Sequence, residues 1–349
     1  MLKFIATIRL YINFPFSNEG ELHHLRIRVI CNRALYRSAK RLKFYRYVTS
    51  QAFNRRYWRP PGFTSPADNQ ETIEGLKYHK LSDKTLADIV EASLGAAYLS
   101  NGLEGGLHTA IQLQIPFDEI KCWDDFNPTF EESRKQVPAR AEVRALRLLN
   151  IPGITEVVGR EFKKPLLIVE ALTHASLPNS TSPCYQRLEF LGDAILDFMV
   201  IRYLFAKYPD ADPGIITDLK DSCVNNHILG IVCIETGLYK HIIHYSGKLV
   251  RAIEYFVNEV NETKENGEAV GEYWVDFNIP KVLSDVVESM LGATFVDAGF
   301  KLEPVEELFA KWFLPILNNH VTPELIRIHP LRKLITDLQR FGCDSFMLR

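Results

Sequence analysis

One stretch of this chain occurs twice. Leu-Ala-Asp-Ile-Val-Glu-Ala-Ser-Leu-Gly-Ala runs from Leu86 to Ala96, and Leu-Ser-Asp-Val-Val-Glu-Ser-Met-Leu-Gly-Ala runs from Leu283 to Ala293, 197 residues later. Stacked solenoid units repeat every 20–50 residues or so, so this spacing points instead to a duplicated domain. Two homologous domains in one chain can pair as a dimer would. Each copy carries an acidic pair, Asp88/Glu91 and Asp285/Glu288. Upstream the similarity continues at a spacing of 194 residues: Phe4 falls on Phe198, Leu10 on Leu204, Pro15 on Pro209, Gly20 on Gly214, Leu25 on Leu219, Asn32 on Asn226 and Leu35 on Leu229. A short length difference in one loop accounts for the change from 194 to 197. At the shorter spacing Met1 falls on Ile195, so the first copy is expected to be truncated at its amino end.

Apolar residues recur at helical spacing through most of the chain: Leu166, Leu167, Val169 and Leu172; Leu188, Leu191, Ile195 and Leu196; Val282, Val286, Met290 and Leu291. Sustained alternation at period two is hard to find, so the expected fold class is all-α. A length of 349 residues with 46% hydrophobic content suits two domains of about 150 residues with sizeable cores. The pattern divides into a partial first domain over 1–118, a polar connector over 119–153, a complete second domain over 154–320 and a tail over 321–349. Within the connector a short helix is expected from Val143 to Leu149, and the tail carries the amphipathic set Leu331, Leu334, Ile335 and Leu338. Glu259, Glu262, Glu265, Glu268, Glu272 and Asp276 mark an acidic insertion that reads as a mobile surface loop.

The formal net charge is only −2, but charge is unevenly spread. Between Leu22 and Ala67 there are eleven basic residues and no acidic one, interleaved with Tyr36, Phe44, Tyr45, Tyr47, Tyr57 and Trp58. Such a tract is either a solvated helix face with a loop or a surface for phosphates and sugars. The second reading nominates Arg26, Arg33, Arg37, Lys40 and Arg41, with Lys220 in the second copy. The six cysteines show no Cys-x-x-Cys and no zinc-like Cys/His spacing, which fits reduced thiols in a cytoplasmic or nuclear protein. Arg9 interrupts the apolar run from Phe4 to Ile8, and no stretch approaches the roughly 18 apolar residues of a membrane span. A soluble chain without membrane partners is expected.

The most specific local motif is Tyr185-Gln-Arg-Leu-Glu-Phe-Leu-Gly-Asp-Ala-Ile-Leu-Asp197. On a helix Glu189 and Asp193 share one face at a spacing of four, and Asp285 and Glu288 share another at a spacing of three. Carboxylates on otherwise apolar helices are costly to bury unless something neutralises them. Four of them converging make a hard-oxygen site suited to Mg²⁺ or Mn²⁺. Gly192, Gly292 and Ala293 would let the two helices approach closely. Asp197 lies a further turn along, and because Lys3 stands at its place in the first copy it reads as a helix-surface residue.

Gln186-Arg-Leu-Glu-Phe-Leu-Gly-Asp193 joined to Asp285-Val-Val-Glu288 resembles the catalytic domain of the ribonuclease III family. With two such domains in tandem over roughly residues 1–320, the chain is similar to the carboxy-terminal half of a Dicer or Dicer-like protein of the fungal kind. The resemblance implies that Glu189, Asp193, Asp285 and Glu288 hold divalent metal, with Lys281 near the scissile phosphate and Lys84 in the equivalent place of the first copy. It implies a double-stranded-RNA endoribonuclease that leaves 5′-phosphate and 3′-hydroxyl ends in small-RNA production, its two domains packed as an intramolecular pseudo-dimer. Gln186 stands where bacterial relatives carry a glutamate and is a poor metal ligand, while His174 in Leu172-Thr-His-Ala-Ser176 is read as structural. RNA would be read by shape, phosphates and 2′-hydroxyls rather than by sequence.

The first copy keeps Asp88 and Glu91 without a Glu-Phe-Leu-Gly-Asp segment, so its partial metal site is expected to be inactive and the chain to be a fragment of a larger protein. The stretch from Ile328 to Gly342 resembles the opening helix of a double-stranded-RNA-binding domain, or is a plain amphipathic helix. Two other readings stay open: a non-catalytic RNA-binding or scaffold protein that retains the fold, and a homodimer in which the complete domains of two chains pair.

Overall fold

A computed structural model describes residues 1–48, 81–115, 120–135, 146, 149–177, 184–323, 334 and 338. The described residues form helices, and the β pairing among them is one isolated parallel bridge between Thr173 and Ile243. The chain divides into two compact units, Met1–Pro138 and Ala139–Arg349. Among the described residues no helix is long and apolar enough to cross a membrane.

In the first unit α1 (Leu2–Asn13), α2 (Glu19–Ile30), α3 (Asn32–Arg41), α4 (Asp83–Gln112) and α5 (Phe126–Arg134) pack with α1 at the centre. Asn18 starts α2 with a capping box: its side chain accepts from the Glu21 backbone N–H at 2.9 Å, and Glu21 returns to the Asn18 N–H. Helix α4 is kinked where Asn101 leaves helical geometry and Gly102 takes a positive φ of 63°.

The second unit comprises α6 (Ile151–Val158), α7 (Leu166–Leu172), α8 (Gln186–Lys207), α9 (Pro213–Val224), α10 (Asn226–Glu235), α11 (Gly247–Glu265), α12 (Lys281–Asp297), α13 (Glu303–Trp312) and α14 (Leu314–His320). Helix α12 is buried almost all round and packs extensively on α8, whose middle is buried and whose last turn is exposed, with α7 and α10 also against α12. A helix apolar on every face belongs in a core. Asp212 and Asn225 cap α9 and α10, accepting from the Ile215 and Ile228 N–H groups at 3.0 Å each.

Two expectations need correction. The stretch over 119–153 is more than a polar connector. Its Trp123, Phe126 and Phe130 form an aromatic wall against Phe4 and Tyr11 of α1, so an apolar set spaced among charges is a packed helix face. Its last residues open α6, whose final carbonyls are taken by Lys311 Nζ and Trp312 Nε1 of α13. Nor is the acidic insertion a surface loop. Glu259, Glu262 and Glu265 lie on α11, which buries Ile253, Phe256 and Val260, and beyond it Glu272 and Trp274 are buried. Glu262 and Glu265 mark the exposed face of an amphipathic helix. The short helix expected over 143–149, apart from Leu146 and Leu149, and the tail set, apart from Leu334 and Leu338, lie outside the described residues, as do Tyr57 and Trp58.

Candidate metal centre

The crossing of α8 and α12 sets the geometry of the site. A Cβ on Gly192 would collide with the Glu288 carbonyl, and one on Gly292 with the Leu188 carbonyl. Each helix thus lacks a side chain where the other's backbone passes, and the two come closer than any larger residue permits. This approach brings Glu189, from the first turn of α8, level with Asp285 and Glu288 of α12.

Oxygens of Glu189, Asp285 and Glu288 lie within 4.8 Å of one another, and among the described residues this is the acidic or His/Cys group so gathered. Glu189 and Asp285 are buried and Glu288 is half-buried. Asp193, one turn further along α8, is half-buried and falls outside this group of three. Gln186 is exposed and accepts from Cys184 Sγ, and it is not among the three gathered carboxylates.

Lys281 reaches in from the rim, its side chain 66% exposed, and places Nζ 3.0 Å from Glu189 Oε1 and 2.9 Å from Asp285 Oδ1. Burial works against the ammonium's charge, but Asp285 and Glu189 outweigh it and hold the group above the ordinary lysine range. The ammonium marks where a cation is favoured among these oxygens. Hard carboxylate donors, close-set and part-buried, fit a divalent ion such as Mg²⁺ or Mn²⁺.

Sequence reasoning passed over Tyr185. Its hydroxyl donates to Asp285 Oδ2 at 2.9 Å, and burial together with the Asp285 carboxylate pushes the phenol far above its usual value, so it stays a donor. The residue is 6% exposed, its backbone N–H donates to Thr173 O, and its ring lies 5.8 Å from that of His174. His174 Nδ1 accepts from the Ser176 N–H, as suits a structural residue. An aromatic residue just ahead of a helix carries no signal of its own; only an unmatched donor requirement, which every buried tyrosine has, could have drawn attention to it.

In the first copy Asp88 and Glu91 are exposed on α4, and α1 bears no acidic residue to face them. Partial desolvation and the Asp88 carboxylate hold the Glu91 carboxyl above its ordinary range. Lys84 is exposed one turn before Asp88.

The nominated nucleic-acid residues separate into two groups. Arg33, Arg37, Lys40 and Arg41 line the exposed face of α3, with Lys40 Nζ 6.0 Å from the Tyr36 ring centre. Arg26 is buried, its guanidinium bonded to Thr7 Oγ1 and His23 Nδ1, so it braces α2 against α1 and is withdrawn from any polyanion. Lys220 is held by Asp197 at 3.2 Å, and the Asp197 side chain is part-buried at the contact.

The Ribonuclease III domain family matches residues 1–102 and 186–299. Dicer-like protein 1 of Aspergillus oryzae is 33% identical over all of this chain, which covers 23% of that protein. Endoribonuclease Dicer homolog 1 of Oryza sativa subsp. japonica is 32% identical over 95% of this chain, covering 19% of its own length. A solved structure of Giardia Dicer aligns with 90% of this chain and 53% of its own at 14% identity and a TM-score of 0.42. The chain therefore spans about a quarter or less of the curated relatives it matches. The two matched regions fall on the two copies of the repeat, and the chain belongs to the ribonuclease III domain family.

Proposed function

We propose that this chain is the nuclease portion of a Dicer-like endoribonuclease that hydrolyses double-stranded RNA to 5′-phosphate and 3′-hydroxyl ends in small-RNA production. The observation that carries the reading is the convergence of Glu189, Asp285 and Glu288 within 4.8 Å, with the Lys281 ammonium among them. The chemistry such an ion would supply when bound there is activation of a water for in-line attack on the phosphodiester and charge beside the leaving 3′ oxygen. Glu189, Asp285 and Glu288 would hold the ion, and Asp193 extends the acidic face of α8 beside them. Lys281, at the rim, is placed to meet an anionic phosphate. The exposed cations of α3 would contact the duplex backbone without reading its sequence. Pairing of two ribonuclease III domains, within one chain or between two, belongs to this reading, and sedimentation equilibrium separates the two arrangements.

The direct test is end-labelled duplex RNA incubated with residues 1–349 in Mg²⁺ or Ca²⁺, each strand resolved separately on a denaturing gel. The expected result is Mg²⁺-dependent cutting of one strand, since Asp88 and Glu91 alone make half a carboxylate set. Glu288→Ala and Asp193→Ala should abolish cutting and leave RNA binding nearly intact. Equal loss of binding and cutting would remove the metal role, and binding without cutting in any divalent ion would favour a scaffold.

A further inference from the structure

The two oxygens of Asp285 have different partners. Oδ2 accepts the Tyr185 hydroxyl at 2.9 Å from one side, while Oδ1 faces Lys281 Nζ at 2.9 Å on the other. A carboxylate held at both ends cannot rotate freely, and a cation replacing the lysine ammonium meets Oδ1 first, with Oδ2 already engaged by the tyrosine hydroxyl. Tyr185 itself cannot swing away: it is buried, tied through its backbone N–H to Thr173 O, and packed beside the His174 ring.

The coordination habits of the hard cations give this arrangement a consequence. Mg²⁺ demands near-octahedral geometry at about 2.0–2.1 Å, keeps several waters and takes its few carboxylates one oxygen at a time. Ca²⁺ gathers six to eight oxygens at about 2.3–2.6 Å and readily takes both oxygens of one carboxylate. A donor on Oδ2 leaves one-oxygen ligation through Oδ1 open to the first ion and makes Oδ2 a weaker second ligand for the other, because one of its lone pairs is already engaged.

We infer that Tyr185 is a positioning residue that restricts Asp285 to one-oxygen ligation and thereby selects Mg²⁺ over Ca²⁺ at this centre. The inference rests on the reading of the Glu189/Asp285/Glu288 cluster as a metal site. Partners that orient metal ligands typically contribute about 10–100-fold in metal affinity. For Tyr185 the effect should be lopsided: without the hydroxyl the one-oxygen geometry that Mg²⁺ uses is less well oriented, while Oδ2 becomes available to the larger ion.

The experiment is Mn²⁺ binding to the 349-residue chain followed by electron paramagnetic resonance, with Mg²⁺ and Ca²⁺ as competitors, in wild type, Tyr185→Phe and Glu288→Ala. Tyr185→Phe should lower the ratio of Mg²⁺ to Ca²⁺ affinity by about tenfold, and Glu288→Ala should weaken all three ions together. Wild type that binds no Mn²⁺ overturns the metal reading and the inference with it. Wild type that binds, with an unchanged ratio in Tyr185→Phe, overturns the inference alone. Should Tyr185→Phe fail to fold, Tyr185→Met also lacks the hydroxyl and must show the same change in ratio; an unchanged ratio there counts equally against the inference.

Discussion

Helices α3 and α10 hold the same place in the two copies, are both ten residues long and follow an extended residue of nearly the same backbone geometry, Cys31 and Asn225. Their surfaces nevertheless differ. Helix α3 buries Leu35, Ser38 and Ala39 and turns Arg33, Arg37, Lys40 and Arg41 outward, whereas α10 buries every residue from Ile228 to Cys233. In the second copy Ile279 and Phe256 of α11 close over Gly230, so the outer face of α10 has become interior. The acidic pair shows the same divergence, exposed in α4 and largely buried in α12. Duplication has kept the helix boundaries, while the chemistry of each face follows from what covers it.

Glycine substitution should separate the copies most sharply. Gly95 and Gly292 are the same position of the repeat, yet a Cβ meets nothing within 4 Å at Gly95 and strikes the Leu188 carbonyl at Gly292. Gly292→Ala, like Gly192→Ala, is expected to destabilise the second unit by about 3 kcal/mol or more in urea unfolding. Gly95→Ala should be neutral or stabilising by about 0.5–1 kcal/mol, as for a glycine inside a helix. Comparable losses at Gly95 and Gly292 would erase the distinction between an open helix face and a buried crossing.

Next in size is the contrast of acidic pairs. Glu288→Ala should reduce strand cleavage on the order of 10³-fold, as befits loss of a ligand worth several kcal/mol in the transition state. Glu91→Ala should leave it within about twofold, because a half set of carboxylates holds an ion weakly. Single-turnover rates on one duplex suffice to compare them.

The basic residues offer a third contrast. Arg37→Ala should lower duplex-RNA affinity and reduce the salt slope of binding by about one unit. Arg26→Ala should leave that slope alone and instead cost about 1–3 kcal/mol of stability, since it removes a buried donor from Thr7 Oγ1. A salt titration paired with a thermal melt reads both.

The smallest effect concerns pH. Burial, with His244 nearby, holds His174 below its ordinary pKa, and Asp285 offsets this only in part. The folded state therefore favours the neutral ring. That contribution to stability is full above the unfolded pKa of about 6.5 and is lost as pH falls through it toward the lower folded value. The Tm of the protein should drop from pH 7 to pH 5, and His174→Asn should make the drop shallower.

Much of this was legible in the sequence. The repeat, the 3.6-residue periodicity and the small residues of α8 and α12 led to the helical fold and to the meeting of Glu189 with Asp285 and Glu288. Tyr185 was not legible, because its role depends on the direction of one hydroxyl across 100 residues of sequence. Arg26 was misread because a run of cations gives no sign of which member points inward. Trp274 and the helix α11 were hidden by acids that dominate the composition of their segment although Ile253, Phe256, Val260 and Trp274 among them are buried.

The reciprocal absence of side chains at Gly192 and Gly292 works like a dovetail: the notch on each helix is filled by the other's peptide plane. A slide of either helix by one residue, or a rotation by one position, would drive a side chain into a carbonyl. Registration of the acidic cluster is thus set in part by neutral backbone, beside the Lys281–Glu189 ion pair that joins the same two helices. Glu189→Gln, Asp285→Asn and Glu288→Gln are each expected to leave the scaffold in register, so that charge at this centre can be removed one group at a time against a fixed geometry.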